Sequence, residues 1–292
     1  MNEAYLNKDK NRCALVVEGG GMRGIFSCGV LNAFGKAGFD PFDLYIGVSA
    51  GACNLASHIA GQNERNLYIF EHYSTTPHFI NFLKFLKGGH LIDLDWLWDI
   101  TIKEYRLDLD TIFSRQNKEF IIVVTSVETG EPVYLKPDKG TLEHYLKVSS
   151  ALPVFYRENL FVNNDRMTDG GIADSIPVIE AYRRGARDIM VVRSRHTDHI
   201  SDNTFMTFMG SLALKDCPSL VNAMKNRADA YKKAIQFIHH PPDDVKIMEV
   251  IPPKTFETRR LTRNIDILLK DFELGREIGF QAISTYSSSH MN

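Results

Sequence analysis

Ser49 lies in Gly47-Val-Ser-Ala-Gly51, a G-x-S-x-G pentapeptide that forms a nucleophile elbow when it joins a strand to a helix. The flanking glycines permit a strained turn that exposes the serine oxygen, and a helix N-terminus behind it favours negative charge. An ordinary glycine turn whose serine caps the helix has the same pattern. A second cluster, Gly19-Gly-Gly-Met-Arg-Gly24, offers a run of backbone N–H groups at the start of a helix. An anion fits such a cradle. As an oxyanion hole it would use the amides of Gly20, Gly21 and Met22 to hold a tetrahedral intermediate. As a dinucleotide fingerprint it needs an acidic residue at the end of the second strand, whereas Asp40 and Asp43 precede that strand.

A serine alcohol needs a base. Asp169, in Asp169-Gly170-Gly171, follows a hairpin-like stretch, Leu160 to Met167, and is one candidate; Asp174 is its local rival, and a simple turn aspartate is the structural alternative. A Ser-Asp-His triad would add His196 or His199. Only 48 residues precede Ser49, too few for the strands that a standard α/β-hydrolase places ahead of its nucleophile. No H-E-x-x-H or comparable spacing occurs, so neither a metal nor a cofactor is expected.

These residues need a frame. Cys13-Ala-Leu-Val-Val-Glu18 is a short apolar run without alternation, as in a strand buried on both faces, and Ile25 to Ala37 reads as a helix closed by Gly38. Leu44 to Ile46, Phe120 to Thr125 and Asp188 to Val192 repeat the strand pattern, while Ala50 to Ala60 and Pro177 to Arg184 repeat the helix. The alternation predicts an α/β fold with a mostly parallel central sheet covered by helices on both faces.

Two stretches break the rhythm. A helical insertion is expected at about 62–118, and within it Phe79, Phe82, Leu83 and Leu86 recur at helical spacing beside Lys84 and Lys87. That face is either a lid or interfacial surface meeting anionic head groups, or a stripe packed on the sheet, the usual fate of apolar helix faces. After Ser201 two helices, Leu212 to Ile238 and Ile265 to Ile283, flank a strand at Lys246 to Ile251. The division expected is a catalytic core at 13–196 and a mainly helical extension at 197–292 packed on the same domain.

Together the motifs resemble the patatin-like phospholipase family, in its bacterial cytoplasmic branch. The resemblance rests on Gly19 to Gly24, Gly47 to Gly51, Ser149-Ser-Ala-Leu-Pro153 and Asp169 to Gly171, in the family's order, and covers about Cys13 to Val192. It implies a three-layer α/β/α fold, Ser49 as nucleophile, Asp169 as its dyad partner and the Gly20, Gly21 and Met22 amides as oxyanion hole. Gly19, Arg23, Gly24, Gly47, Gly51, Gly170 and Gly171 complete the motifs, with Gly171 where many members have alanine. The activity implied is release of fatty acid from phospholipid, lysophospholipid or simple acyl esters, with peripheral membrane contact as a further implication.

Composition sets the bounds. The 292 residues carry a formal charge of -2, which leaves no basic footprint for nucleic acid. Cys13, Cys28, Cys53 and Cys217 have neither metal nor redox spacing and read as reduced residues. The polar opening MNEAYLNKDKNR lacks the apolar core of a signal peptide, and the most apolar window, Leu44 to Gly61, is interrupted by polar residues and glycines. A soluble cytoplasmic protein is the expectation. Two rival functions stay open: a lipid-binding protein of the same fold with vestigial chemistry, and a nucleotide-dependent oxidoreductase.

Overall fold

The computed structural model describes residues 12–115, 117–196 and 214–290. Its spine is a set of parallel strands in the order β3-β2-β1-β7-β8: β1 (Arg12–Val17), β2 (Leu44–Val48), β3 (Glu119–Ser126), β7 (Ala186–Val192) and β8 (Lys246–Val250). Antiparallel β4 (Pro132–Leu135), β5 (Leu160–Val162) and β6 (Asp165–Asp169) gather at β3. The run of β-branched and aliphatic residues without alternation follows from burial on both faces. Leu15, Val17, Tyr45 and Ile122 face one core with α1 (Gly24–Ala37), α2 (Ala50–Ile59) and α7 (Leu142–Ser150). Val16, Ile46, Ile121 and Val123 face the other, with α8 (Val178–Arg183) and α9 (Pro218–His239). The architecture is therefore the expected three-layer α/β/α.

Register does more than order the strands. On β3, Val123 pairs with both Val48 of β2 and Tyr134 of β4, and Val124 pairs with both Val133 of β4 and Asp169 of β6. A strand has two edges, so β4 takes one, and β2 and β6 share the other end to end. The last residues of β2 and β6 are thereby brought head to head.

The C-terminal extension enters the same sheet and core. β8 extends the parallel sheet, and α10 (Ile265–His290) lies on α1. That contact needs bare backbone: a Cβ on Gly29 would lie 2.2 Å from the Phe272 carbonyl oxygen, and one on Gly275 2.3 Å from that of Phe26. The helix expected from Leu212 begins at Pro218, a proline at its first turn; Leu212 itself lies outside the described residues.

The insertion is built of short helices: α3 (Arg65–Ile69), running into a π turn at Phe70–Ser74, α4 (Phe82–Leu86), α5 (Leu94–Glu104) and α6 (Leu109–Ser114). The side chains of Asn81, Asp93 and Asp108 cap α4, α5 and α6 by accepting backbone N–H bonds. The apolar stripe divides differently from its spacing. Phe79 precedes α4 and is buried, whereas Phe82, Leu83 and Leu86 are 53%, 73% and 80% exposed, so they do not pack on the sheet. Five residues make too short a helix to turn all four positions the same way.

Candidate active site

β2 delivers Ser49. All five of its residues are buried, and the chain turns sharply at Ser49, φ 53° and ψ −126°, into α2. Holding a residue in such a sparsely populated conformation costs roughly 1–3 kcal/mol and persists only where its surroundings over-determine it. Here they do: a Cβ on Gly47 would lie 2.5 Å from Ala52 Cα, and one on Gly51 2.5 Å from the Val17 carbonyl oxygen. The Ser49 N–H donates to Ser149 Oγ at 2.8 Å, and that hydroxyl donates to the Val123 carbonyl at 2.6 Å. Ser49 Oγ does not cap α2; it donates to Asp169 Oδ2 at 3.0 Å.

Asp169 arrives from the opposite direction, at the end of β6. Its Oδ1 accepts the Gly171 N–H at 2.7 Å, its carbonyl accepts Thr125 Oγ1 at 2.8 Å, and its N–H donates to the Ala151 carbonyl at 3.1 Å. Residues 149–153 therefore grip both partners, Ser149 holding the backbone of Ser49 and Ala151 that of Asp169. Gly170 packs on the Val123 backbone. Burial pushes the Asp169 carboxyl above the ordinary aspartate range, and the Gly171 N–H, the charges of Arg260 and Arg227 and the Ser49 hydroxyl pull it back only in part.

The rivals lie elsewhere. Asp174 accepts the Tyr134 hydroxyl at 2.8 Å and is pushed up to about 6 by burial, without a bond to Ser49. His196 is exposed, in a cleft with Arg23 and Arg195, and His199 lies outside the described residues. Among the described residues no histidine is bonded to Ser49 or Asp169, and no group of three or more His, Cys, Asp or Glu is placed to hold a metal.

The glycine cluster follows β1 and stands beside the elbow, Gly19 against Val48 and Gly24 against Ala50. Of the three amides expected to face an oxyanion, that of Met22 is already engaged: its N–H donates to the Arg260 carbonyl at 3.1 Å. Among the described residues the N–H groups of Gly20 and Gly21 meet no acceptor. A cavity of about 140 Å³ opens at Ser49 between this cluster and the insertion, walled by Phe70, Phe79, Leu97, Trp98 and Leu146.

Sequence reasoning did not anticipate Thr125, Arg227 and Arg260. Arg227 Nε donates to the Gly171 carbonyl at 2.6 Å. Arg260 borders the cavity, on a loop fixed by buried Asp271, whose Oδ2 accepts the N–H groups of Glu257 and Thr258 at 3.0 and 2.7 Å. No motif marks these side chains: Thr125 stands on β3, whereas Arg227, on α9, and Arg260, on the loop before α10, reach the site through the packing of the C-terminal region.

Residues 15–182 match the model of the patatin-like phospholipase family. The chain belongs to that family. Residues 217–290 match DUF6363, a domain of unknown function. YjjU, an uncharacterised protein of Escherichia coli K12, is 37% identical over 278 residues, 94% of this chain and 78% of YjjU. VipD from Legionella pneumophila has a similar fold, with a TM-score of 0.50 at 13% identity over 94% of this chain and 67% of VipD. Ser49, Asp169 and the glycine cluster lie inside the patatin-like segment, whereas Arg195, Arg227 and Arg260 lie beyond it.

Proposed function

We propose that this protein hydrolyses lipid acyl esters by a dyad in which Ser49 is the nucleophile and Asp169 the general base. The observation that carries the reading is the 3.0 Å bond from Ser49 Oγ to Asp169 Oδ2, made at a positive-φ elbow that faces an apolar cavity. Asp169 takes the hydroxyl proton as Ser49 Oγ attacks the ester carbonyl, and the carbonyl electrons move onto oxygen. That oxyanion is held by the N–H groups of Gly20 and Gly21. As it collapses, the bond to the leaving alcohol breaks and Asp169 returns the proton to that alcohol. Water, deprotonated in turn by Asp169, attacks the acyl-Ser49 ester; as that adduct collapses the bond to Ser49 Oγ breaks, Asp169 returns the proton to Ser49 Oγ and the fatty acid is released.

A carboxylate is a weak base toward an alcohol, and two features offset this. Burial raises the Asp169 pKa toward working pH. Preorganised oxyanion donors, each worth ~10²–10³ in rate, supply much of the remainder. No cofactor is needed. The acyl chain occupies the cavity under the insertion, and exposed Phe82, Leu83 and Leu86, with Lys87 beside them, make a peripheral contact with a lipid surface. Four unpaired cysteines support a reducing, cytoplasmic setting. Among the described residues no helix is long and apolar enough to cross a membrane.

A fluorophosphonate should label the wild type on Ser49 alone, with a burst of p-nitrophenol from long-chain esters. Labelling of another residue, or undiminished turnover in Ser49→Ala, would overturn the assignment. A His196→Ala, His199→Ala double variant that retains turnover separates the dyad from a triad.

A further inference from the structure

The cavity that opens at Ser49 has apolar walls, but the part of it remote from the nucleophile is not apolar. The residues of α2 that border it, Ala50, Cys53 and Asn54, form a strip whose next turn brings Ser57. Ser57 Oγ accepts a hydrogen bond from Arg65 Nη1 at 3.2 Å, and Arg65, the first residue of α3, itself borders the cavity. Ser57 follows Ser49 by about two turns, which puts the guanidinium about 12 Å from the nucleophile along the helix axis. The other cation on the cavity wall, Arg260, stands at the opposite end, where its carbonyl holds the Met22 N–H beside Ser49.

Arg65 is held but not neutralised. Its Nε donates to the Tyr105 carbonyl at 2.6 Å and its Nη1 to Asn66 Oδ1 at 3.1 Å, so each of its bonds, the one to Ser57 included, ends on a neutral acceptor. Among the described residues its Nη2 has no acceptor and the side chain forms no ion pair. Glu143, the carboxylate that borders the cavity, is taken by Arg106, which donates to its two oxygens at 3.0 and 2.9 Å. The neighbouring amides satisfy one another: Asn66 Nδ2 donates to the Cys53 carbonyl and Asn54 Oδ1, and Asn54 Nδ2 to the Gly24 carbonyl and Ser27 Oγ. Burial lowers the Arg65 pKa to about 10, which leaves it charged at neutral pH. A saturated chain that reached this guanidinium would strip water from Nη2 and offer no acceptor in return. A chain ending there in a carboxylate supplies a charge-assisted bond.

We propose that Arg65 receives a carboxylate at the free end of the acyl chain, so that the preferred substrates are half-esters of medium-chain dicarboxylic acids. An extended chain of about nine carbons spans the 12 Å between Ser49 and Arg65. The selectivity in turnover rests on the hydrolase reading above; binding of a chain with a terminal carboxylate does not.

Binding is measured first, without turnover. Ser49→Ala protein is titrated calorimetrically with monomethyl nonanedioate and with dimethyl nonanedioate, which share an ester end and a chain length and differ only in the charge at the far end. The monomethyl ester should bind at least about tenfold more tightly, a margin lost in a Ser49→Ala, Arg65→Met double variant. Equal binding of the two ligands, or a margin that survives in the folded double variant, overturns the proposal. Turnover is measured second, on the wild type, as the ratio of kcat/KM for the mono-p-nitrophenyl ester of a dicarboxylic acid to that for the p-nitrophenyl ester of the monocarboxylic acid of equal length. At nine carbons the ratio should be at least about tenfold; at six carbons, too short to reach Arg65, it should be at or below unity. A ratio near unity at nine carbons overturns the proposal, and an equal preference at six carbons overturns it by placing recognition at the Arg260 end. Should Arg65→Met not fold, this length dependence decides alone. Failure to hydrolyse any of the esters counts against the hydrolase reading, and the binding of the two nonanedioate esters still decides the role of Arg65.

Discussion

The end of the sheet that carries Ser49 and the insertion that roofs it are built by opposite means. At the sheet end the two dyad residues are tied to segments distant in sequence: the Ser49 N–H to Ser149, the Ser149 hydroxyl to Val123, and the Asp169 backbone to Ala151 and Thr125. In the insertion, α4, α5 and α6 are each started by a local cap three residues away, and α4 buries none of its residues. Long-range ties hold a strained turn in place, and local caps hold a short helix while leaving it free of the core. Geometry is fixed at Ser49 and Asp169, and apolar surface is left exposed at α4.

The comparison breaks most sharply at the dyad. Ser49→Ala should abolish turnover, and Asp169→Asn should lower kcat/KM by about 10³-fold or more, the contribution of a positioned general base. Both variants should keep their fold, checked by circular dichroism and melting. If Asp169→Asn retains a tenth of wild-type activity, the head-to-head meeting of β2 and β6 is not what makes the site work. Ser149→Ala comes next. It strips the Ser49 N–H of its acceptor in a fully buried place, so a loss of ~1–3 kcal/mol in unfolding free energy is expected, with kcat falling more than KM rises.

How far the molecule could be read beforehand follows the same division. The elbow, the glycine cluster and Asp169 are each marked by glycines at close spacing, because tight turns and close backbone approach admit few other residues. The strands of the parallel spine announce themselves as continuous apolar runs. The shared edge of β3 leaves no such mark, nor does the short strand β4, since both depend on pairing register between distant segments. Arg227 and Arg260 carry no motif, and their positions follow from packing of α9 and α10. The engagement of Met22 by the Arg260 carbonyl belongs with them: three amides look equivalent until a loop far along the chain takes one. At α4 the spacing grouped Phe79 with Phe82, Leu83 and Leu86, but Phe79 precedes the helix and is buried, and spacing does not tell which medium covers the other three.

Titration of Asp169 gives a smaller effect with a definite sign. Its pKa in the folded protein is raised, chiefly by burial, so the folded state holds the proton to higher pH than the unfolded chain does. The resulting destabilisation is absent below the ordinary aspartate range, grows as pH rises through it and is complete above the raised value. Asp169→Asn should therefore melt at a higher temperature than wild type at pH 7 to 8, with the difference shrinking on acidification. The acid limb of the wild-type kcat/KM profile should lie above the ordinary carboxylate range, because only ionised Asp169 can take the Ser49 proton. A mutant that melts lower at neutral pH would mean that its bonds to Ser49 and Gly171 outweigh the burial of its charge.

The least effect on the fold is expected at α4. Leu83 and Leu86 are 73% and 80% exposed, so replacing both with aspartate removes almost no buried contact and should change unfolding free energy by no more than ~0.5 kcal/mol. Binding to anionic vesicles should nevertheless fall at least tenfold in sedimentation, since two apolar anchors become charges of the same sign as the surface. The contrast between the two measurements is the informative quantity. Core residues give large losses in stability, whereas a lipid-facing helix loses its partner and keeps its fold. Undiminished vesicle binding with unaltered melting would leave α4 as an ordinary exposed turn of the roof and move the lipid contact elsewhere on the insertion.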